Sequence, residues 1–73
     1  MAEINNLQEA ILQEVRRDRV PVTLFLMNGF QLRGTILSFD QFAVLVLSEG
    51  RQNLIYKHAI STIQPAEPVK MQS

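Results

Sequence analysis

The chain has no cysteine and no tryptophan, one histidine, one tyrosine, and as many acidic as basic residues, seven of each. Without cysteine there is no disulfide and no thiolate zinc site, and the composition suits a reducing, cytoplasmic setting. A single histidine gives no basis for a metal core, so no metal and no cofactor are expected. Met1 to Asn6 lacks the basic start and apolar stretch of a signal peptide. No apolar run approaches the roughly 20 residues of a membrane span. Gly-rich phosphate loops, metal-ligand clusters and a nucleophile elbow are also missing. A net charge of zero counts against a nucleic-acid binder, which tends to be basic. The distribution softens that objection, because Arg16, Arg17 and Arg19 cluster and Lys57 adjoins His58. A symmetric ring would multiply each small cluster into a continuous patch.

What is present is one small domain of 73 residues, 47% of them hydrophobic. A domain of this size is marginal alone and usually gains stability from disulfides, a metal or oligomerisation. Only the last remains open. Residues 1–6 are expected to be a flexible arm, with Asn6 as an N-cap and Glu9 completing a capping box. Leu7, Ile11 and Val15 recur every four residues with Leu12 beside them, which predicts a helix over Leu7 to Arg17 that Pro21 prevents from continuing.

From Val20 the period becomes two, and Asn28-Gly29 predicts a two-residue hairpin turn. That turn would pair Met27 with Phe30 and Phe25 with Leu32, and so gather Phe25, Met27, Phe30 and Leu32 on one face. Gly34 in mid-strand predicts a sharp bend. Ser38 to Gln41 reads as a loop, Phe42 to Leu47 as a buried strand, Ser48 to Arg51 as a turn and Gln52 to Tyr56 as a return strand. Tyr56-Lys57-His58 is a tight connection into a last strand over Ala59 to Ile63. The expected fold is mainly β, a small bent five-stranded barrel with an N-terminal helix. Domain 7–65 is followed by a short disordered tail over 66–73. Sm-like, SH3-like and OB-like barrels all fit these elements.

Three groups of residues could carry function. At Tyr56-Lys57-His58 an aromatic can stack a base while a cation holds a phosphate; the same residues could equally be a surface turn anchored by tyrosine. The apolar hairpin face could sandwich purine bases or be buried against a neighbouring subunit. Arg16, Arg17 and Arg19 could meet phosphates, or simply offset the helix dipole in solvent. Asp40, His58 and Ser61 could be imagined as a triad, but an aspartate after Ser-Phe more often closes a loop through backbone amides.

Asn28-Gly29-Phe30-Gln31-Leu32-Arg33-Gly34 with Ser38-Phe39-Asp40-Gln41-Phe42, and then Tyr56-Lys57-His58-Ala59-Ile60-Ser61-Thr62, resemble the two Sm motifs of the Hfq family, bacterial Sm-like RNA chaperones. The resemblance runs from Leu7 to Pro65 and selects the Sm-like barrel. It implies a homo-oligomer, a ring of six subunits, that binds small regulatory RNAs and messenger RNAs and promotes their pairing without covalent chemistry. It also implies roles by position. Gln8, Gln41, Phe42, Tyr56, Lys57 and His58 would take uridine-rich RNA at the pore on the helix-bearing, proximal face. Phe25, Asn28, Gly29, Phe30, Gln31, Leu32, Gln52 and Thr62 would take adenine-rich RNA on the opposite, distal face. Arg16, Arg17 and Arg19 would contact phosphates on the outer rim, and Asp40 would be structural. The chain departs from the commonest pattern: Phe25 stands for tyrosine, Phe30 for isoleucine and Arg33 for glutamine. The rival reading is an oligomeric scaffold that binds protein segments through the hairpin patch.

Overall fold

A computed structural model describes residues 7–69. The expected arm over 1–6, with its N-cap Asn6, and residues 70–73 of the expected tail lie outside the described residues. The first element is helix α1, Leu7–Asp18. Its apolar stripe buries Leu12 and Val15 completely, with Ile11 packed beside them. The helix stops before Pro21 is reached. Arg19 turns into the left-handed region at φ 56°. Val20 N–H then donates to Val15 O at 3.0 Å and Arg19 N–H to Arg16 O at 3.4 Å. This pair of bonds is a Schellman cap, formed here on arginine where glycine is usual.

Five antiparallel strands follow: β1 Val22–Leu26, β2 Gln31–Phe39, β3 Ala43–Ser48, β4 Arg51–Tyr56 and, after a one-turn 3-10 segment Lys57–Ala59, β5 Ile60–Pro65. They form one bent sheet in the order β4-β3-β2-β1-β5. The expected β-rich barrel with an N-terminal helix is therefore present, and the two strands expected at its edges, β4 and β5, end the order. Strand β2 turns the corner. It pairs with β1 up to Val22–Gly34 and with β3 from Thr35–Leu47 onward, so the bend falls at Gly34. A bulge between Ile36 and Ser38 curves it again.

The core lies inside this bend and under α1: Leu12, Val15, Val22, Leu24, Ile36, Val44 and Val46. Each such side chain contributes about 1.5–3 kcal/mol by leaving water. Of the expected tail, residues 66–69 are described: Ala66 N–H donates to Pro21 O at 2.9 Å and Val69 packs against the core.

The β1–β2 hairpin corrects the sequence reading. The observed register is Leu24–Leu32 and Phe25–Gln31, one residue away from the expected Phe25–Leu32. Leu26 N–H donates to Phe30 O, and Gly29 N–H to Leu26 O. The loop thus has three residues, Met27-Asn28-Gly29, with positive φ at Gly29 alone (94°). Asn28 does not adopt positive φ; its Oδ1 accepts the Phe30 N–H at 3.0 Å instead. A short turn closed by a left-handed glycine is the next most favoured hairpin after the two-residue form. The two-residue turn with both residues at positive φ occurs at Glu49-Gly50 (53° and 77°), between Ser48 and Arg51.

Candidate nucleic-acid interface

The Tyr56-Lys57-His58 segment is joined to two distant parts of the chain. Tyr56 ends β4, where it pairs with Ala43, and the 3-10 turn then swings Lys57 and His58 to the end of the sheet. Lys57 N–H donates to Phe42 O at 2.8 Å, which fixes the Gln41-Phe42 loop against it. Asp40 holds that loop from the other side. Its Oδ1 accepts the N–H groups of Phe42 and Ala43, each at 2.8 Å. Asp40 is therefore a loop-closing residue, as the sequence suggested.

The bond from Phe42 N–H, then that from Ala43 N–H, holds the Asp40 carboxyl below its usual range. A carboxyl lowered in the folded state contributes stability in full above its unfolded value, near 3.9. That contribution is lost as pH falls through the lower folded value. Asp40→Asn should lower the melting temperature at pH 7 and narrow the difference between pH 7 and pH 3 melts. An unchanged acid sensitivity in the variant would assign it to other groups.

Gln8, Gln41 and Lys57 line one recess of about 710 Å3, together with Glu9, Phe39 and Asp40. Beside it Phe42 is 67% and Tyr56 55% exposed. The Tyr56 and His58 rings lie parallel, 6° apart in plane with centroids at 5.8 Å. Of the six residues expected to act together, Gln8, Gln41 and Lys57 share the recess, and Phe42, Tyr56 and His58 are their neighbours along the chain. Two neighbours were missed. The Lys57 ammonium pairs with the Glu9 carboxylate and lies 5.5 Å from the centre of the Phe39 ring, within cation–π range. Its side chain is only 10% exposed. Glu9, expected to complete a capping box, faces Lys57 instead. No local signal reveals this, since the partners are 48 residues apart.

On the hairpin, Phe25 pairs with Gln31 on one side and Thr62 on the other. The three side chains form a row across β2, β1 and β5 on the outer surface, because paired residues share a face. Asn28, Gly29 and Phe30 stand at the tip of the same hairpin, where Phe30 is 70% exposed. Two expected members do not join it. Leu32 pairs with the buried Leu24 and packs against the core. Gln52 lies on β4, paired with Leu47, at the other end of the sheet order.

The arginine cluster is not uniform. Arg17 is engaged by Glu14 and by Asp18, the latter at 3.2 Å. Arg16 lies 5.7 Å from the centre of the same Phe39 ring that faces Lys57. Arg19, at the left-handed cap, lines a recess with Glu14, Arg17, Asp18 and Glu67.

Comparison with known proteins places this geometry in company. Residues 7–70 match the family model described as "Hfq protein". The chain is 53% identical to the RNA-binding protein Hfq of Clostridium perfringens over 70 residues, 96% of this chain and 88% of the relative. It is 56% identical to the RNA-binding protein Hfq of Pelotomaculum thermopropionicum over 64 residues, 88% and 77% of the two chains. A crystal structure of the pleiotropic translational regulator Hfq superposes with TM-score 0.78 at 44% identity, covering 81% of this chain and 98% of that one. An Hfq protein from Anabaena sp. gives 0.72 at 31% identity, covering 80% and 93%.

Proposed function

The chain belongs to the Hfq family, and we propose that it is an RNA-binding chaperone, acting in the cytoplasm, that pairs small regulatory RNAs with messenger RNAs and catalyses no covalent step. The observation that carries this reading is the convergence of Gln8, Gln41 and Lys57 on one recess beside exposed Phe42 and Tyr56. Amide and ammonium donors next to exposed aromatic faces suit single-stranded bases, which are read by stacking and by hydrogen bonds at their edges. Uridine-rich ends would occupy this recess, with His58 extending the Tyr56 platform. Adenine-rich segments would lie on the outer row of Phe25, Gln31 and Thr62 with the Asn28-Gly29-Phe30 tip.

Subunits would join by pairing β4 of one with β5 of the next, since a free strand edge seeks a partner, to give a ring of six. Such pairing would also bring Gln52 of one subunit toward the β5 side of its neighbour, where Thr62 lies. Two RNAs held on opposite faces of one ring gain effective concentration for each other.

The rim arginines would then screen phosphate repulsion while two strands meet. With Arg17 already engaged by two carboxylates, Arg16 and Arg19 carry this role. Arg16→Ala combined with Arg19→Gly, the latter suited to the positive φ, should slow annealing of two complementary RNAs by about tenfold at low salt. Binding of either strand alone should change little, and the difference should fade as salt rises. Stopped-flow annealing of labelled strands measures this. Equal rates for the wild type and the double variant at low salt would remove the rim from the mechanism. Absence of any salt-sensitive RNA binding would favour the protein scaffold instead.

A further inference from the structure

The tip of the β1–β2 hairpin carries a sulfur atom to which neither base-binding surface gives a role. Met27 is 70% exposed, as is Phe30 at the other end of the loop. The loop itself is closely tied. Leu26, Met27, Gly29 and Phe30 donate their N–H groups to Phe30 O, Ala59 O, Leu26 O and Asn28 Oδ1 at 2.8 to 3.0 Å. Its main chain is therefore fixed, and the exposure of the Met27 side chain is imposed by the fold. Ala59 precedes β5 and bonds the loop that follows β1. That contact is on the β1 side of β5, away from the free edge at which subunits would pair. The sequence has no cysteine, and its other methionines, Met1 and Met71, lie outside the described residues. Met27 is thus the one sulfur among the described residues, and it follows Phe25 of the outer row by two positions.

A thioether needs no deprotonation to react with a peroxide. A lone pair on Sδ takes one peroxide oxygen as the O–O bond breaks. Sulfur is oxidised by two electrons, and hydrogen peroxide is reduced to one water. The product, methionine sulfoxide, is polar and chiral where the thioether was apolar. Its new oxygen accepts hydrogen bonds and donates none, and four N–H groups of the loop are already engaged. A base that covers the tip would remove water from this oxygen without replacing the lost hydrogen bond, which opposes binding. Resting on the RNA-binding reading above, we propose that Met27 is an oxidation site, with peroxides as its reagents, that switches the outer face. The thioether admits adenine-rich RNA to the tip and the sulfoxide turns it away. Two thiols, acting through methionine sulfoxide reductases, take the oxygen off as water and restore the site. No sulfur lines the recess around Lys57, so uridine-rich RNA is spared.

The test treats the full chain with hydrogen peroxide, locates the added oxygen by peptide mass mapping, and measures binding of adenine-only and uridine-only RNA before and after. Met27 should gain one oxygen atom. Adenine-only RNA should then bind about tenfold more weakly, the size of one uncompensated buried polar group. Uridine-only RNA should bind as before, and the reductases with dithiothreitol should restore the first affinity. Met27→Leu keeps an apolar side chain of similar size without the sulfur. Its affinity for adenine-only RNA should be the same before and after peroxide, although Met1 and Met71 remain oxidisable. Full oxidation of Met27 with no change in adenine-only binding would overturn the proposal and leave the RNA-binding reading standing. So would an equal loss in peroxide-treated Met27→Leu, a parallel loss of both RNAs, or a Met27 that stays unoxidised while Met71 reacts. Failure of the untreated protein to bind either RNA would overturn both.

Discussion

Replacing Gly34 with alanine should destabilise the protein by about 3 kcal/mol or more, an overpacking cost at the upper end of the usual range. The reason is steric and local. A Cβ at Gly34 would stand 2.2 Å from the Leu47 carbonyl oxygen, 3.0 Å from its carbon and 3.0 Å from Val46 Cγ1. The oxygen is main chain in β3, beside the Thr35–Leu47 pair. It cannot retreat without opening the ladder at the corner where β2 passes from one half of the sheet to the other. Domains of this kind have only about 5–15 kcal/mol in total, so the loss is a large share. Gly29→Ala is the control. Nothing lies within 4 Å of its Cβ, and only the positive φ of 94° opposes it, at about 1 kcal/mol. Urea unfolding of both variants separates the two mechanisms. Equal midpoints would mean that the corner relaxes freely, against the reading of β2 as a rigid bend.

The helix and the strands were legible in the sequence because their signals are local. Leu7, Ile11, Leu12 and Val15 mark one face of α1, and the observed helix extends one residue past the expected Arg17. Gly34 was legible as a bend because no side chain suits a crowded corner. The hairpin register was not. Asn28-Gly29 permits both a two-residue and a three-residue turn, and the choice fell to the Asn28 side chain bonding Phe30 N–H and to the burial of Leu24 with Leu32. The slip of one residue moved Leu32 from the expected binding row into the core and put Gln31 beside Phe25. Glu9 was hidden for a different reason. A glutamate in the first turn of a helix satisfies a capping pattern by itself, whereas its contact with Lys57 depends on how the last third of the chain folds back. Phe39, facing both Arg16 and Lys57, is equally a product of tertiary packing.

The central claim is that one small subunit presents two separate base-binding surfaces, a recess around Lys57 and an outer row around Phe25. Lys57 is the sharper probe of the first. Its ammonium is held by Glu9 and by the Phe39 ring and is almost withdrawn from water; on the proposed reading it would donate to a base in the recess that Gln8 and Gln41 share. A hydrogen bond from a charged donor contributes about 1.5–3 kcal/mol. Lys57→Ala should therefore weaken uridine-rich RNA about thirtyfold and leave adenine-rich RNA nearly untouched. Phe25 lies on the outer face of the sheet, and Phe25→Ala removes one stacking platform at about 1–3 kcal/mol. Its effect should fall on adenine-rich RNA alone. The decisive measurement is the affinity of both variants for both RNAs at one fixed salt concentration, with sedimentation showing that the assembly is intact. Two separate surfaces predict a crossed pattern, each variant losing one ligand and keeping the other. Parallel losses for both RNAs in either intact variant would contradict it.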